Sequence, residues 1–164
     1  MNVKIVLLLA LLQLGHFAMS NETPDVTAQT NDLGKCLSSC KDFPIRIGTK
    51  LYYIESKLKV NWFGAVESCR KLGGYLLNIE SATEMDLIVA ITSSDRFWIS
   101  SNCLAKDRDF ISITTGVAMP YNRWQAGQPD NQAGNEYCVQ ATALGLSDEP
   151  CASLLSYVCQ ANIL

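Results

Sequence analysis

Gln128-Pro129-Asp130 places an amide oxygen and a carboxylate two residues apart. Oxygen donors of this kind suit a hard cation such as calcium, which takes roughly six to eight of them. Alone, the tripeptide reads as a Pro-Asp turn. The sulfur chemistry is richer: Cys36, Cys40, Cys69, Cys103, Cys138, Cys151 and Cys159 make an odd set of seven. Their spacings are irregular and no CxxC pair occurs, so a disulfide framework with one thiol left over is expected rather than a zinc site. The single histidine, His16, falls in the apolar N-terminal segment. Without it the remaining chain cannot form Ser-His-Asp or Cys-His nucleophilic centres, HExxH zinc sites or a His-Asp hydrolytic pair. A carboxylate-only glycosidase survives that exclusion, but no acid pair supports one independently.

The elements that must position these residues begin after a targeting segment. Residues 1–4 are short and positive, residues 5–14 are apolar apart from Gln13, and Ala18-Met19-Ser20 offers small residues for cleavage. This is the pattern of a secretory signal peptide over residues 1–20, too short in its apolar run to span a bilayer. No later segment is apolar and long enough to do so. A secreted, extracellular product is expected, with an oxidising compartment for its cysteines. With Lys4 removed, 12 basic side chains face 16 acidic ones, and there is no basic stripe of the kind nucleic acid requires.

Residues 21–41 read as a flexible lead-in, carrying the one N-glycosylation sequon at Asn21-Glu22-Thr23. No heptad run suggests a coiled-coil stalk. Residues 42–164 read as one packed domain. A strand is expected over residues 50–54. Asn61 can cap a helix over residues 62–72 that ends at Gly73-Gly74, with Trp62, Ala65, Val66, Cys69 and Leu72 on one face. Ser81 and Glu84 have capping-box spacing for a second helix whose apolar stripe continues through Ile88 and Ile91. Short strands are expected over 75–79, 97–100, 137–141 and 157–160. Residues 101–136 are rich in Gly, Pro, Asn and Asp and lack period, and a long irregular stretch inside a compact domain is usually functional.

Several spaced motifs occur in one order: Trp62-x-x-Ala65-x-x-x-Cys69, Phe97-Trp98-Ile99, Trp124-Gln125-Ala126-Gly127-Gln128-Pro129-Asp130, Glu136-x-Cys138, and Cys151 eight residues before Cys159. Together they resemble the C-type lectin domain over roughly residues 50–160, in the style of small secreted insect lectins. The resemblance implies an α+β fold with two helices, small antiparallel sheets and a long irregular binding loop. It implies disulfides Cys69–Cys159 and Cys138–Cys151, worth about 4–5 and about 3 kcal/mol by chain entropy. Cys36, Cys40 and Cys103 are left over. Cys36 and Cys40 can close a short loop, either can join Cys103, or an odd cysteine can link two chains as a disulfide-bonded dimer. Trp62, Trp98 and Trp124 read as core packing rather than sugar-stacking platforms.

The resemblance also implies a calcium and sugar site at Gln128, Asp130, Glu136 and Asp148, with Pro129 cis. Glycans or glycoproteins are then the partners, and the chain binds without catalysing. In the family, QPD goes with galactose-type sugars. Two departures stand against a close match. Leu146-Ser147-Asp148 replaces the family's Trp-Asn-Asp, so Ser147 offers calcium a shorter, poorer ligand and weaker binding is expected. Residues 131–135 also lack the aromatic ring that galactose binders place after QPD. The alternative is a calcium-independent lectin-like module that binds a protein partner and has lost sugar binding.

Overall fold

The computed structural model describes residues 42–92 and 96–162. The expected signal peptide and lead-in, the Asn21 sequon, Cys36 and Cys40 lie outside the described residues.

Among the described residues two helices and eight strands run in the order β1 (Ile45–Ile47), β2 (Lys50–Val60), α1 (Trp62–Lys71), β3 (Tyr75–Leu76), α2 (Ala82–Ile91), β4 (Arg96–Asn102), β5 (Ile111–Ser112), β6 (Cys138–Thr142), β7 (Gly145–Glu149) and β8 (Leu155–Asn162). The strands form one sheet along the path β1-β2-β8-β4-β6-β7, with β3 added to β8 and β5 to β4. All of these pairs are antiparallel except β4 with β8, where Phe97 and Trp98 lie beside Ser156 and Tyr157 in parallel. That pair joins the expected antiparallel ladders into one mixed sheet.

Successive side chains leave a strand on opposite faces, and here both faces are covered. Leu51, Trp98, Leu155, Tyr157, Cys159 and Ala161 build one core with Trp62, Ala65 and Cys69 of α1. Tyr52, Phe97, Ile99, Val139, Ala141 and Val158 build the other with Met85 and Ile88 of α2. The central strands β4, β6 and β8 accordingly bury apolar residues on both sides, with Ser100, Gln140, Ser156 and Gln160 buried among them. The Trp62 indole donates to the Ile99 carbonyl at 2.8 Å and the Trp98 indole to that of Val60 at 3.0 Å, so both rings are core anchors with their polar edges satisfied. Trp124 is half-buried, 4.9 Å from the Phe110 ring centre.

Helix α1 starts as its sequence dictates. The Asn61 side chain accepts from the Gly64 N–H at 2.8 Å, and Gly73 carries the positive φ of +81° just past the end. Disulfide Cys69–Cys159 fixes this helix to β8, and Cys138–Cys151 closes the chain around β7.

Helix α2 departs from expectation in two ways. Ile91 is 45% exposed, because the buried face runs through Glu84, Met85 and Ile88 instead. Only half of the capping box forms: Ser81 Oγ accepts from the Glu84 N–H at 3.1 Å, but the Glu84 carboxylate reaches the Glu80 N–H at 2.8 Å rather than that of Ser81. The same buried carboxylate accepts from the Tyr52 hydroxyl at 2.6 Å and pairs with Lys50 at 3.0 Å. Burial first, and then the Glu84 hydrogen bond, push the Tyr52 phenol far above its ordinary pKa. Glu84 therefore ties α2 to β2. Glu84→Gln is expected to cost about 1–2 kcal/mol in a denaturant melt, since it removes a charged acceptor serving three donors. An unchanged midpoint would show the network to be dispensable.

Candidate functional site

The site forms where the irregular segment after Trp124 returns to β7. Strand β7 pairs with β6 in unbroken register from Cys138–Glu149 to Thr142–Gly145. Gly145 at the hairpin has a φ of +137°, and a Cβ there would meet the Arg123 carbonyl oxygen at 2.8 Å and the Gln125 nitrogen at 3.0 Å. Only glycine suits that approach. The approach matters because the segment around Trp124 docks there: Leu146 N–H donates to the Arg123 carbonyl and Gln125 N–H to the Leu146 carbonyl, both at 2.8 Å. Gln128 N–H then turns back onto the Gln125 carbonyl at 3.0 Å, and the Gln128–Pro129 peptide is cis.

Asp148 organises the chain on the far side of that peptide. Its carboxylate accepts from the Asp130 N–H at 3.1 Å and the Asn131 N–H at 2.9 Å. The Asn131 side chain, from a left-handed backbone at φ +47°, accepts from the Glu136 N–H at 2.9 Å. This relay gathers three of the expected side chains. Asp130, Glu136 and Asp148 each bring a carboxylate oxygen within 4.8 Å of the others. Asp130 is exposed, Glu136 half-buried and Asp148 buried.

The oxygens themselves show whether a calcium ion suits the cluster. Glu136 Oε2 and Gln128 Oε1 are buried and have no hydrogen-bond partner among the described residues. Buried acceptors without donors are costly, and a cation relieves that cost. Burial, then the charges of Asp148 and Asp130, raise the Glu136 pKa above its ordinary value, against backbone hydrogen bonds that lower it. A donor set of oxygen alone, with like charges crowded together, fits a hard divalent ion.

Ser147 is drawn elsewhere. Its hydroxyl accepts from Gln140 Nε2 at 2.9 Å within the β6–β7 ladder, and its side chain leaves β7 on the face opposite to that of Asp148.

Sequence reasoning missed Asn131 and, above all, Arg108. Its guanidinium donates to Asp148 Oδ2 at 2.7 Å and to the Glu136 carbonyl at 2.9 Å. It also pairs with Asp107 at 3.2 Å and lies 5.3 Å from the Phe110 ring centre. Burial opposes this charge, yet the Asp148 hydrogen bond and charge, and then Asp107, hold its pKa above the ordinary arginine value. The only sequence signal was one basic residue between Asp107 and Asp109 in the stretch without period. Cys103, also in this region, is buried without a disulfide partner among the described residues, and its backbone N–H donates to the Tyr137 carbonyl at 2.8 Å.

The chain belongs to the C-type lectin domain family: the family model for the lectin C-type domain matches residues 58–161. C-type lectin 37Db of Drosophila melanogaster is 38% identical over 125 residues, covering 73% of this chain and 83% of that protein. The cow C-type carbohydrate-recognition domain of CD23, solved in the presence of GlcNAc2Man3 oligosaccharide, superposes with a TM-score of 0.67 at 28% identity, covering 72% of this chain and 92% of that one. The C-type lectin domain of murine dendritic cell inhibitory receptor 2, solved in complex with N-glycan, gives 0.65 at 26% identity, covering 74% and 97%. No helix among the described residues is long and apolar enough to cross a membrane.

Proposed function

We propose that this chain is a secreted, calcium-dependent carbohydrate-binding protein with a preference for galactose-type glycans. The observation that carries the proposal is the convergence of Asp130, Glu136 and Asp148 within 4.8 Å, beside buried Gln128 and Glu136 oxygens that lack donors. The relatives' lectin names and the glycan complexes of the solved neighbours support the same reading. Gln128, Asp130, Glu136 and Asp148 would hold calcium, which would supply coordination to two vicinal sugar hydroxyls, and the first three would orient the sugar. Gln128 both donates and accepts, whereas Asp130 and Glu136 only accept, so the amide and acid positions define which hydroxyl each side receives. Exchanging acid and amide across the site reverses that pattern and favours the hydroxyl arrangement of galactose.

No aromatic ring occupies residues 131–135 to stack on the sugar. A single shallow site of this type is expected to bind at about millimolar Kd, near −4 kcal/mol, so clustered glycans or paired chains supply useful avidity. Retention on immobilised galactose that is lost with chelator is the expected result. No retention, or equal retention with and without calcium, contradicts the proposal.

The Arg108–Asp148 pair favours a second reading, a calcium-independent module that binds a protein partner. On that reading Asp130→Asn and Glu136→Gln leave partner binding intact and calcium produces no heat at millimolar concentration.

A further inference from the structure

We infer that Arg108 is a built-in counter-cation of the carboxylate cluster, competing with calcium for Asp148 and so setting the affinity of the site. The inference rests on the calcium reading of that cluster. Asp148 is the one carboxylate of the three whose side chain is fully shielded from water, at 0% exposure against 32% for Arg108. Three donors already use it: two backbone N–H groups and the guanidinium, which makes the shortest of the three contacts at 2.7 Å. A calcium ion bound by Asp148 must displace or share that charge. The backbone donors can stay, because they fix the loop, so Arg108 is the group that gives way.

The arginine is firmly held. Its backbone lies in the left-handed region at φ +60°, uncommon for a side chain of this kind. Asp107 grips its Nε, Asp148 and the Glu136 carbonyl take its two terminal nitrogens, and the Phe110 ring lies close by. The Glu136 carbonyl contact is the telling one. It spans from the segment before β5 to the ligand segment before β6, so one guanidinium bridges the irregular loop to both Asp148 and Glu136. Without calcium this bridge keeps the loop in its binding shape. Asp148 and Glu136 would hold calcium in its place, and the guanidinium, a third exposed, has water to turn into.

The test compares the secreted chain with Arg108→Gly, Arg108→Gln and Arg108→Lys by calorimetric calcium titration and by melting with and without chelator. Glycine suits the left-handed backbone, and glutamine is the neutral alternative should the glycine chain not fold. Both neutral variants are expected to bind calcium about tenfold more tightly, the loss of one charge-assisted competitor. Their melting temperatures should fall in chelator and recover with calcium, whereas the natural chain changes less. Arg108→Lys retains a competing charge and should stay near the natural affinity. Neutral variants that bind calcium no more tightly than a calcium-binding natural chain overturn the role of Arg108 and leave the lectin proposal standing. Binding by the neutral variants alone supports the competition and sinks calcium dependence of the natural chain. Absence of binding in all four chains overturns both.

Discussion

Asp148→Asn is expected to weaken calcium binding on the order of 100-fold and to destabilise the domain by about 2–4 kcal/mol. Two effects combine because one buried carboxylate serves both purposes. As a proposed ligand, it is the member of the cluster whose side chain has no exposure to water. As a structural acceptor, it holds the N–H groups of Asp130 and Asn131 and the Arg108 guanidinium. An amide keeps one acceptor oxygen but turns a donor toward donors. The cost falls below that of breaking a fully buried pair, since Arg108 is a third open to solvent and can rehydrate. Asp130→Asn provides the contrast: exposed, and accepting only from the Gln132 N–H at 3.2 Å, it should lose calcium with little change in stability. Equal destabilisation of the two variants in urea melts would show that Asp148 does not organise the loop.

The other large effect concerns the staples. Removing Cys69–Cys159 as a double alanine variant should cost about 4–5 kcal/mol, and removing Cys138–Cys151 about 3 kcal/mol, because their sequence separations are 90 and 13 residues. The first figure approaches the whole stability of an ordinary domain. Unfolding at physiological temperature is therefore expected for that variant, and a weakened but folded domain for the other. The second variant should still lose site function, since Cys138 begins β6 and Cys151 follows β7, which carries Asp148. Circular dichroism melts of the two variants check the ranking, and the reverse order would contradict the chain-entropy account.

Much of this architecture was legible because particular residues have few alternatives. Asn61, the Trp62-Ala65-Cys69 face and Gly73 specify one capped helix and its buried side, and the helix forms as read. Helix α2 was legible in position but not in facing. Its Glu84 turns inward because Lys50 and Tyr52, on a distant strand, await it, which no local period announces. Strand β7 was missed for a related reason: of Gly145-Leu146-Ser147-Asp148-Glu149 only Leu146 is a large apolar residue, and pairing to β6 overrides the composition. The short β1 and β5 give too few residues for any period. The expected strand over 75–79 narrows to Tyr75–Leu76, although Leu77 and Ile79 are buried and Leu77 still bridges Val158 and Ser100 by single hydrogen bonds.

The site divides along the same line. Gln128 and Asp130 were visible as a local oxygen pair, and Glu136 and Asp148 only as positions that the family resemblance implies. Arg108 and Asn131 were not, since each acts through a contact that only the folded loop creates. Ser147 stands where the resemblance implies an asparagine ligand, whereas Gln140 across the ladder engages its hydroxyl.

Calcium titration of the full chain by calorimetry tests the central claim most directly. One site is expected, with a Kd of about 10⁻⁴–10⁻³ M as in extracellular calcium modules, and it should vanish in Glu136→Gln. The absence of any binding heat at millimolar calcium, with Arg108 in place, would contradict the claim that this domain is a calcium-dependent lectin.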